Sequence, residues 1–177
     1  MEVVQTARMV LSRVTADDLI AVHEIHSDPR TSVHNPAGPS PDLESSRAML
    51  DLWLADWAER GLGYWAARQT GESRVIGFGG LRRAIVERDE VLNLYYRFRP
   101  SAWGHGYALE LAQAALHVGE GLGRTVVAVI GDANERSRKV AERAGMRKDR
   151  SIPYGGVPSG VYVARPYPAL PGRARTM

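Results

Sequence analysis

The sequence predicts an α+β domain: a mixed, mostly antiparallel sheet of about six or seven strands, flanked by about four helices. Two observations predict it. Between residues 63 and 98 three strand-like runs follow one another with only turns between them, which is how an antiparallel meander reads. Further on, the apolar run "TVVAVI" (125–130) follows a helical stretch. It is too short for a helix and too uniformly apolar for a strand with a wet face, so it reads as a central strand parallel to the one before that helix.

The elements follow in order. "RMVLSRV" (8–14) alternates as a half-buried strand does, and Thr15 offers an N-cap for "ADDLIAVHEIHSD", whose first turn holds two acids. Pro29 closes that helix. "TSVHNPAGPSPD" (31–42), with three prolines, reads as a surface loop of the kind that often carries substrate-facing groups. A second helix runs from Leu43 to about Arg60 and stops at Gly61; Met49, Leu50, Trp53, Leu54 and Trp57 share one face and read as core. The meander is "GYWAARQT" (63–70), "RVIGFGGLRR" (74–83) and "EVLNLYYRF" (90–98), with a charged connection "AIVERD" before the third strand. Within "GFGG" (77–80) the glycines mark a bulge or a close backbone approach. A helix begins near Tyr107, another spans about 134–144 and ends at Gly145, and "GVYVARPY" (160–167) is the last strand. The whole chain, 1–177, reads as one domain with a frayed tail over about 168–177.

Composition narrows the function. The chain is 44% hydrophobic and 24% charged, as soluble globular proteins are. Its net charge of +3 comes from arginines spread along the chain, which gives no nucleic-acid patch and suits an anionic small molecule equally well. With no cysteine, disulfides, thiolate metal ligands and a cysteine nucleophile are excluded, and no metal is expected. The first residues lack a signal-peptide core, and nowhere do about 18 apolar residues run together, so a cytoplasmic protein with no membrane partner is expected.

The most informative stretch is "RPSAWGHGYALELAQAAL" (99–116), where a strand hands over to a helix across Gly104 and Gly106. Helix N-termini present unpaired N–H groups and attract anions, and glycine lets a phosphate approach. The same pair of glycines also makes a sharp β-to-α turn, and the residues alone leave both readings open. The Walker pattern does not occur, and the dinucleotide fingerprint fails at Leu109.

"FRPSAWGHGYALELAQAAL", followed by "TVVAVIGDANERSRKVAERAGMRK", resembles the GNAT superfamily of N-acetyltransferases. It most resembles the branch whose enzymes acetylate N-terminal amines of ribosomal proteins (RimJ/RimL-like). The resemblance implies that the pyrophosphate of acetyl-CoA binds along Trp103, Gly104, His105, Gly106, Tyr107 and Ala108. It also implies that the 90–98 strand splays from the 125–130 strand. The pantetheine arm then lies in the gap, against backbone of about Leu94, Tyr96 and Phe98. Asn134 and Ser137 match the family's Asn-x-x-Ser positions. Asn134 either holds the cofactor arm or caps its helix, or does both; Ser137 is the candidate general acid, because the family's usual tyrosine is replaced by Ala141. Met146 replaces the usual Phe. The implied activity is acetyl transfer from acetyl-CoA to a primary amine, a protein N-terminus or a small molecule. The alternative is a non-catalytic acyl-CoA-binding module of the same fold. Glu90, at the start of the cofactor-facing strand, is the candidate general base. His34 in the proline-rich loop and Tyr154 in "SIPYGGVPSG" are candidate acceptor contacts, although that segment also reads as a hairpin connection. His105 sits by the phosphate or solvent, His117 is a packed or solvent-edge histidine, and Glu110 complements the helix dipole. A homodimer paired through the last strand is possible.

Overall fold

The computed structural model describes residues 3–164. Among them the elements run β1 (Val3–Gln5), β2 (Met9–Arg13), α1 (Leu19–His26), α2 (Leu43–Arg60), β3 (Tyr64–Gln69), β4 (Val75–Val86) and β5 (Asp89–Phe98). There follow α3 (Tyr107–Gly121), β6 (Val126–Gly131), α4 (Glu135–Arg143), β7 (Arg147–Tyr154) and β8 (Val157–Val163). The strands form one open sheet in the order β1-β2-β3-β4-β5-β6-β8-β7. Every neighbouring pair is antiparallel except β5 and β6, which run parallel as strand–helix–strand order requires. None of the described helices is long and apolar enough to cross a membrane.

The helices follow their sequence signals. Asp42 caps α2 by accepting from the Ser45 amide at 2.7 Å, and Gly61 ends it in the left-handed region. Thr15 and Asp18 form a capping box that leads through a short 3-10 turn, Ala16–Asp18, into α1. On α2, Leu50, Trp53 and Trp57 are buried in the core, with Met49 and Leu54 packed at its margin. Alternation along β5 divides the sheet's two faces. Tyr95 and Arg97 turn toward α1, where the His26 ring lies 6.4 Å from the Tyr95 ring. Leu92, Leu94, Tyr96 and Phe98 turn toward α3, with β4's Leu81 beside Gly119 of that helix.

Three features depart from the expectation, and the 151–160 segment takes the hairpin form, one of its two readings. There are eight strands because β1 has only three residues and because β7 is polar; β7 lies at the sheet edge with mostly exposed residues, where no apolar alternation is needed. The expected connection at 84–89 is mostly strand: β4 runs on to Val86 and turns through Glu87 and Arg88, with Val86 paired to Asp89. Glu87 takes a φ of 57°, a value that Gly or Asn usually signals in such turns, and Arg150 donates to its carboxylate at 2.6 Å. The segment 151–160 is a hairpin built from β7 and β8, turning at Gly155 and Gly156. The last strand, β8, is enclosed between β6 and β7 and so offers no edge to a second subunit; the edges are β1 and β7. Residues 165–167 of the expected final strand, and the tail over 168–177, lie outside the described residues.

His26 is buried between these layers. Its Nδ1 donates to the Val22 carbonyl at 2.8 Å, which leaves Nε2 to accept from the Tyr95 hydroxyl at 2.8 Å. Burial, reinforced by the Arg97 charge, lowers its pKa to about 3. The imidazole is therefore neutral in the fold and charged in the unfolded chain below its ordinary value of about 6.5. Between those two values the unfolded state binds more protons, so stability falls as pH drops from about 6.5 toward 3. His26→Gln, which keeps a neutral polar group, should flatten that stretch of the melting temperature–pH curve; an unchanged slope would contradict the assignment.

Candidate active site

After Phe98 the chain passes through a 3-10 turn, Pro100–Ala102, and doubles back so that the Trp103 indole donates to the Phe98 carbonyl at 2.9 Å. Gly104 and Gly106 both lie in the left-handed region, at φ of 81° and 80°. Gly106 is the N-cap of α3 and no side chain caps that end. Among the described residues, no protein acceptor takes the backbone N–H of Gly104, His105, Gly106, Tyr107, Ala108 or Leu109. The result is a row of unpartnered amides at the positive end of a helix, an arrangement that can cradle an anion.

A clamp from the first hairpin fixes the cradle. Glu110, in the first turn of α3, accepts from Thr6 Oγ1 at 2.6 Å, the Arg8 amide at 2.8 Å and Arg8 Nε at 2.8 Å. Burial alone would raise the Glu110 carboxyl, but these bonds from Thr6 and Arg8 hold it below its ordinary value. Arg8 also donates to the His105 carbonyl at 2.7 Å and lies 5.1 Å from the Tyr107 ring centroid. On the other side, Arg136 stands 5.6 Å from the centre of the Trp103 ring. Two guanidinium groups thus flank the open amides.

Beside the cradle the sheet opens. The β5–β6 ladder consists of only two register pairs, Leu92↔Val126 and Asn93↔Val127. The Leu92 amide donates to the Thr125 carbonyl at 2.8 Å. Backbone groups alternate in direction along a strand, so Leu94, Tyr96 and Phe98 aim theirs at the same side, where no strand pairs with them. One acceptor there is used, since Phe98's carbonyl takes the Trp103 indole. The approach of β4 helps to set β5's course: a Cβ on Gly79 would fall 2.5 Å from the Tyr95 carbonyl oxygen. The "GFGG" glycines therefore mark a close backbone approach.

The far wall is the start of α4. Asn134 is its cap, accepting from the Ser137 amide at 3.1 Å. Ser137 is half-buried. The Tyr96 hydroxyl reaches across to the Ser137 carbonyl at 3.5 Å, and burial pushes this phenol up to about 12, so it carries its proton at neutral pH. Ala141 is buried and offers no donor. At the rim, loop 31–42 meets the β7–β8 turn: a Cβ on Gly155 would touch Pro36 at 3.0 Å. His34 is exposed on that loop, and Tyr154 is exposed on the hairpin beside it.

The corner residues, Leu94, Tyr96, Phe98, Asn134 and Ser137 thus border one gap, with His34 and Tyr154 on the two segments that rim it. Glu90 is not brought to them. It lies exposed next to the β4–β5 turn, eight residues and about 26 Å of extended strand from Phe98. His117 is exposed on α3. Sequence reasoning passed over the Tyr96 phenol and Arg97. The side chains' faces could have been read from alternation along β5. Arg8 left no comparable signal, because its partner Glu110 is a hundred residues away.

The model of the acetyltransferase (GNAT) domain family matches residues 8–147. The chain belongs to the GNAT acetyltransferase family. It is 30% identical over 122 residues to YkkB, an uncharacterized protein of Bacillus subtilis (strain 168); the match spans 65% of this chain and 70% of that one. An acetyltransferase from Agrobacterium tumefaciens str. C58 superposes at a TM-score of 0.79, with 26% identity over 93% of this chain and 95% of its own. Aminoglycoside acetyltransferase AAC(6')-Ib in complex with coenzyme A and kanamycin shares the fold at a TM-score of 0.73 and 17% identity, over 89% and 95% of the two chains. The eight-stranded sheet with its four helices is thus a GNAT fold.

Proposed function

We propose that this GNAT domain, which we take to span the chain, moves the acetyl group of acetyl-CoA to a primary amine by direct attack in a ternary complex. The observation that carries the reading is the row of unpartnered amides from Gly104 to Leu109, opening beside an unpaired stretch of β5. The diphosphate lies on that row between Arg8 and Arg136. The pantetheine amides take the places a neighbouring strand would fill, against Leu94, Tyr96 and Phe98, so that polar groups buried by binding stay hydrogen-bonded. A β5 amide polarises the thioester carbonyl; such donors contribute roughly 3 kcal/mol to oxyanion stabilisation. The neutral amine attacks the carbonyl carbon, the C–S bond breaks, and the thiolate takes a proton from Ser137 or from the adjacent Tyr96 phenol. The amine's own proton leaves to water at the rim, without Glu90. The "WGHGYA" stretch supports the RimJ/RimL-like branch and a cytoplasmic enzyme; a homodimer, if formed, uses the β1 or β7 edge.

Coenzyme A at about a hundredfold excess over its Kd adds about 2.7 kcal/mol of stability, which for a domain of this size raises the melting temperature by roughly 5–10 °C. No shift at millimolar coenzyme would overturn the reading. Removing a general acid typically costs about a hundredfold or more, and less for a leaving group as stable as a thiolate. We expect Ser137→Ala or Tyr96→Phe to lower kcat by about tenfold with the KM for acetyl-CoA within twofold. If neither does so, the thiolate leaves without help.

The buried Ala141 and the distant Glu90 favour a second reading, a non-catalytic acyl-CoA-binding module. Thiol release with a panel of amines separates the two: coenzyme binding without turnover supports the module.

A further inference from the structure

We propose that the acceptor is a small amine that itself carries a carboxylate, an amino acid in chemical class, and that Arg97 is the residue that binds the carboxylate. The proposal rests on the acetyl-transfer reading and adds the substrate class. Arg97 is the last residue but one of β5, between Tyr96 and Phe98, whose backbones border the gap. Its side chain lies on the opposite face from α3 and α4, on the side of loop 31–42. There Nη1 donates to the buried Ser32 hydroxyl at 3.2 Å, and the guanidinium stands 5.8 Å from the Tyr95 ring centroid.

Arg97 is half-buried, and among the described residues it forms no ion pair with a carboxylate. Beneath it, Tyr95 and His26 form a neutral hydrogen-bonded pair, so nothing below offsets the charge. The acids that flank His26 in the chain are already engaged: Asp28 with Arg30, and Glu24 with Arg99. Asp56, deeper on the same face, is held by Arg60 and Arg82. The rim offers one, and it is committed to a helix cap. Residues 31–42 contain a single acid, Asp42, whose carboxylate caps α2, and residues 151–160 contain no acid at all. Ser32 and the Tyr95 phenol hold the guanidinium from below, and its planar set of N–H donors is the shape that pairs with a carboxylate through two parallel bonds. A polycationic acceptor meets the Arg97 charge at this mouth, and the one rim carboxylate, Asp42, is engaged in capping α2. The mouth thus selects for an anionic group on the acceptor and against aminoglycosides such as kanamycin.

The test measures thiol release from acetyl-CoA with each common L-amino acid beside its decarboxylated amine, with kanamycin, O-phosphoethanolamine and a peptide bearing an N-terminal aspartate included. The wild type should favour at least one amino acid over its decarboxylated partner by tenfold or more in kcat/KM. In Arg97→Gln that ratio should fall to within about twofold, and Arg97→Lys should retain part of it. The coenzyme-induced rise in melting temperature, kept in both variants, shows that they fold. A preference for decarboxylated amines, kanamycin, the phosphate compound or the peptide alone overturns the proposal, as does a ratio that survives in Arg97→Gln. Should no amine turn over, calorimetry on the coenzyme-saturated protein decides. Amino-acid binding that Arg97→Gln abolishes upholds the Arg97 site and leaves acetyl transfer as the failed claim, whereas no binding at millimolar concentration overturns the Arg97 site.

Discussion

Gly106→Val should weaken coenzyme A binding by about a hundredfold or more. At a φ of 80°, Gly106 lies where a β-branched residue is a genuine outlier, and the left-handed conformation costs an ordinary L-residue about 1–2 kcal/mol. The new side chain would also crowd Arg8, whose Nη2 lies 3.3 Å from the place of a Cβ. Either the loop relaxes and the row of amides turns away from its common centre, or it holds and a branched side chain stands at the end of the cradle. Both outcomes remove the proposed diphosphate site. Stability should fall by about 2 kcal/mol, or some 4–8 °C in melting temperature, which leaves a folded protein for calorimetry. A variant that binds coenzyme within threefold of the wild type would show that the row of amides is a turn and nothing more.

The largest effect on the fold should come from Gly79→Ala. A Cβ there falls 2.5 Å from the Tyr95 carbonyl oxygen and 2.8 Å from the Tyr96 Cα, and these are backbone atoms that cannot rotate aside. The β4–β5 ladder is the longest in the sheet, with ten register pairs, so β5 can shift only by breaking several of them. Overpacking of this kind costs about 3 kcal/mol, corresponding to roughly 6–12 °C. It also moves the open edge of β5, so coenzyme affinity should drop by about tenfold even in the cold, where the variant is folded. Chemical denaturation with coenzyme titration on the same sample reads both quantities. A variant with wild-type stability would mean that the two strands are not held at this spacing.

Helix bounds and the core were legible because local chemistry sets them. Asp42 and Gly61 punctuate α2, and the tryptophans between them recur at the helical period. The parallel pairing of β5 and β6 followed from their order alone. What escaped was whatever a distant partner decides. The polar β7 is a strand because β8 supplies its ladder, and Glu87 accepts a positive φ in a turn where Arg150 holds its carboxylate. The same division runs through the candidate site. The glycine corner announced itself by composition. Glu90's place on β5 does not tell which end of that strand opens; the two β5–β6 pairs lie at Glu90's end, so the gap lies at the other. The clamp from Thr6 and Arg8 to Glu110 joins residues that sequence spacing gives no reason to associate.

Two register pairs are a slender seam in an eight-stranded sheet. On one side lie five strands and on the other three, so the molecule is mechanically two plates stitched at one corner and backed by α3 and α4. A ligand arm laid along the open stretch would act as thread, lending the plates the cross-links their own backbones do not make. Tensile strength and occupancy would then rise together, and the empty protein would part along this line before any other.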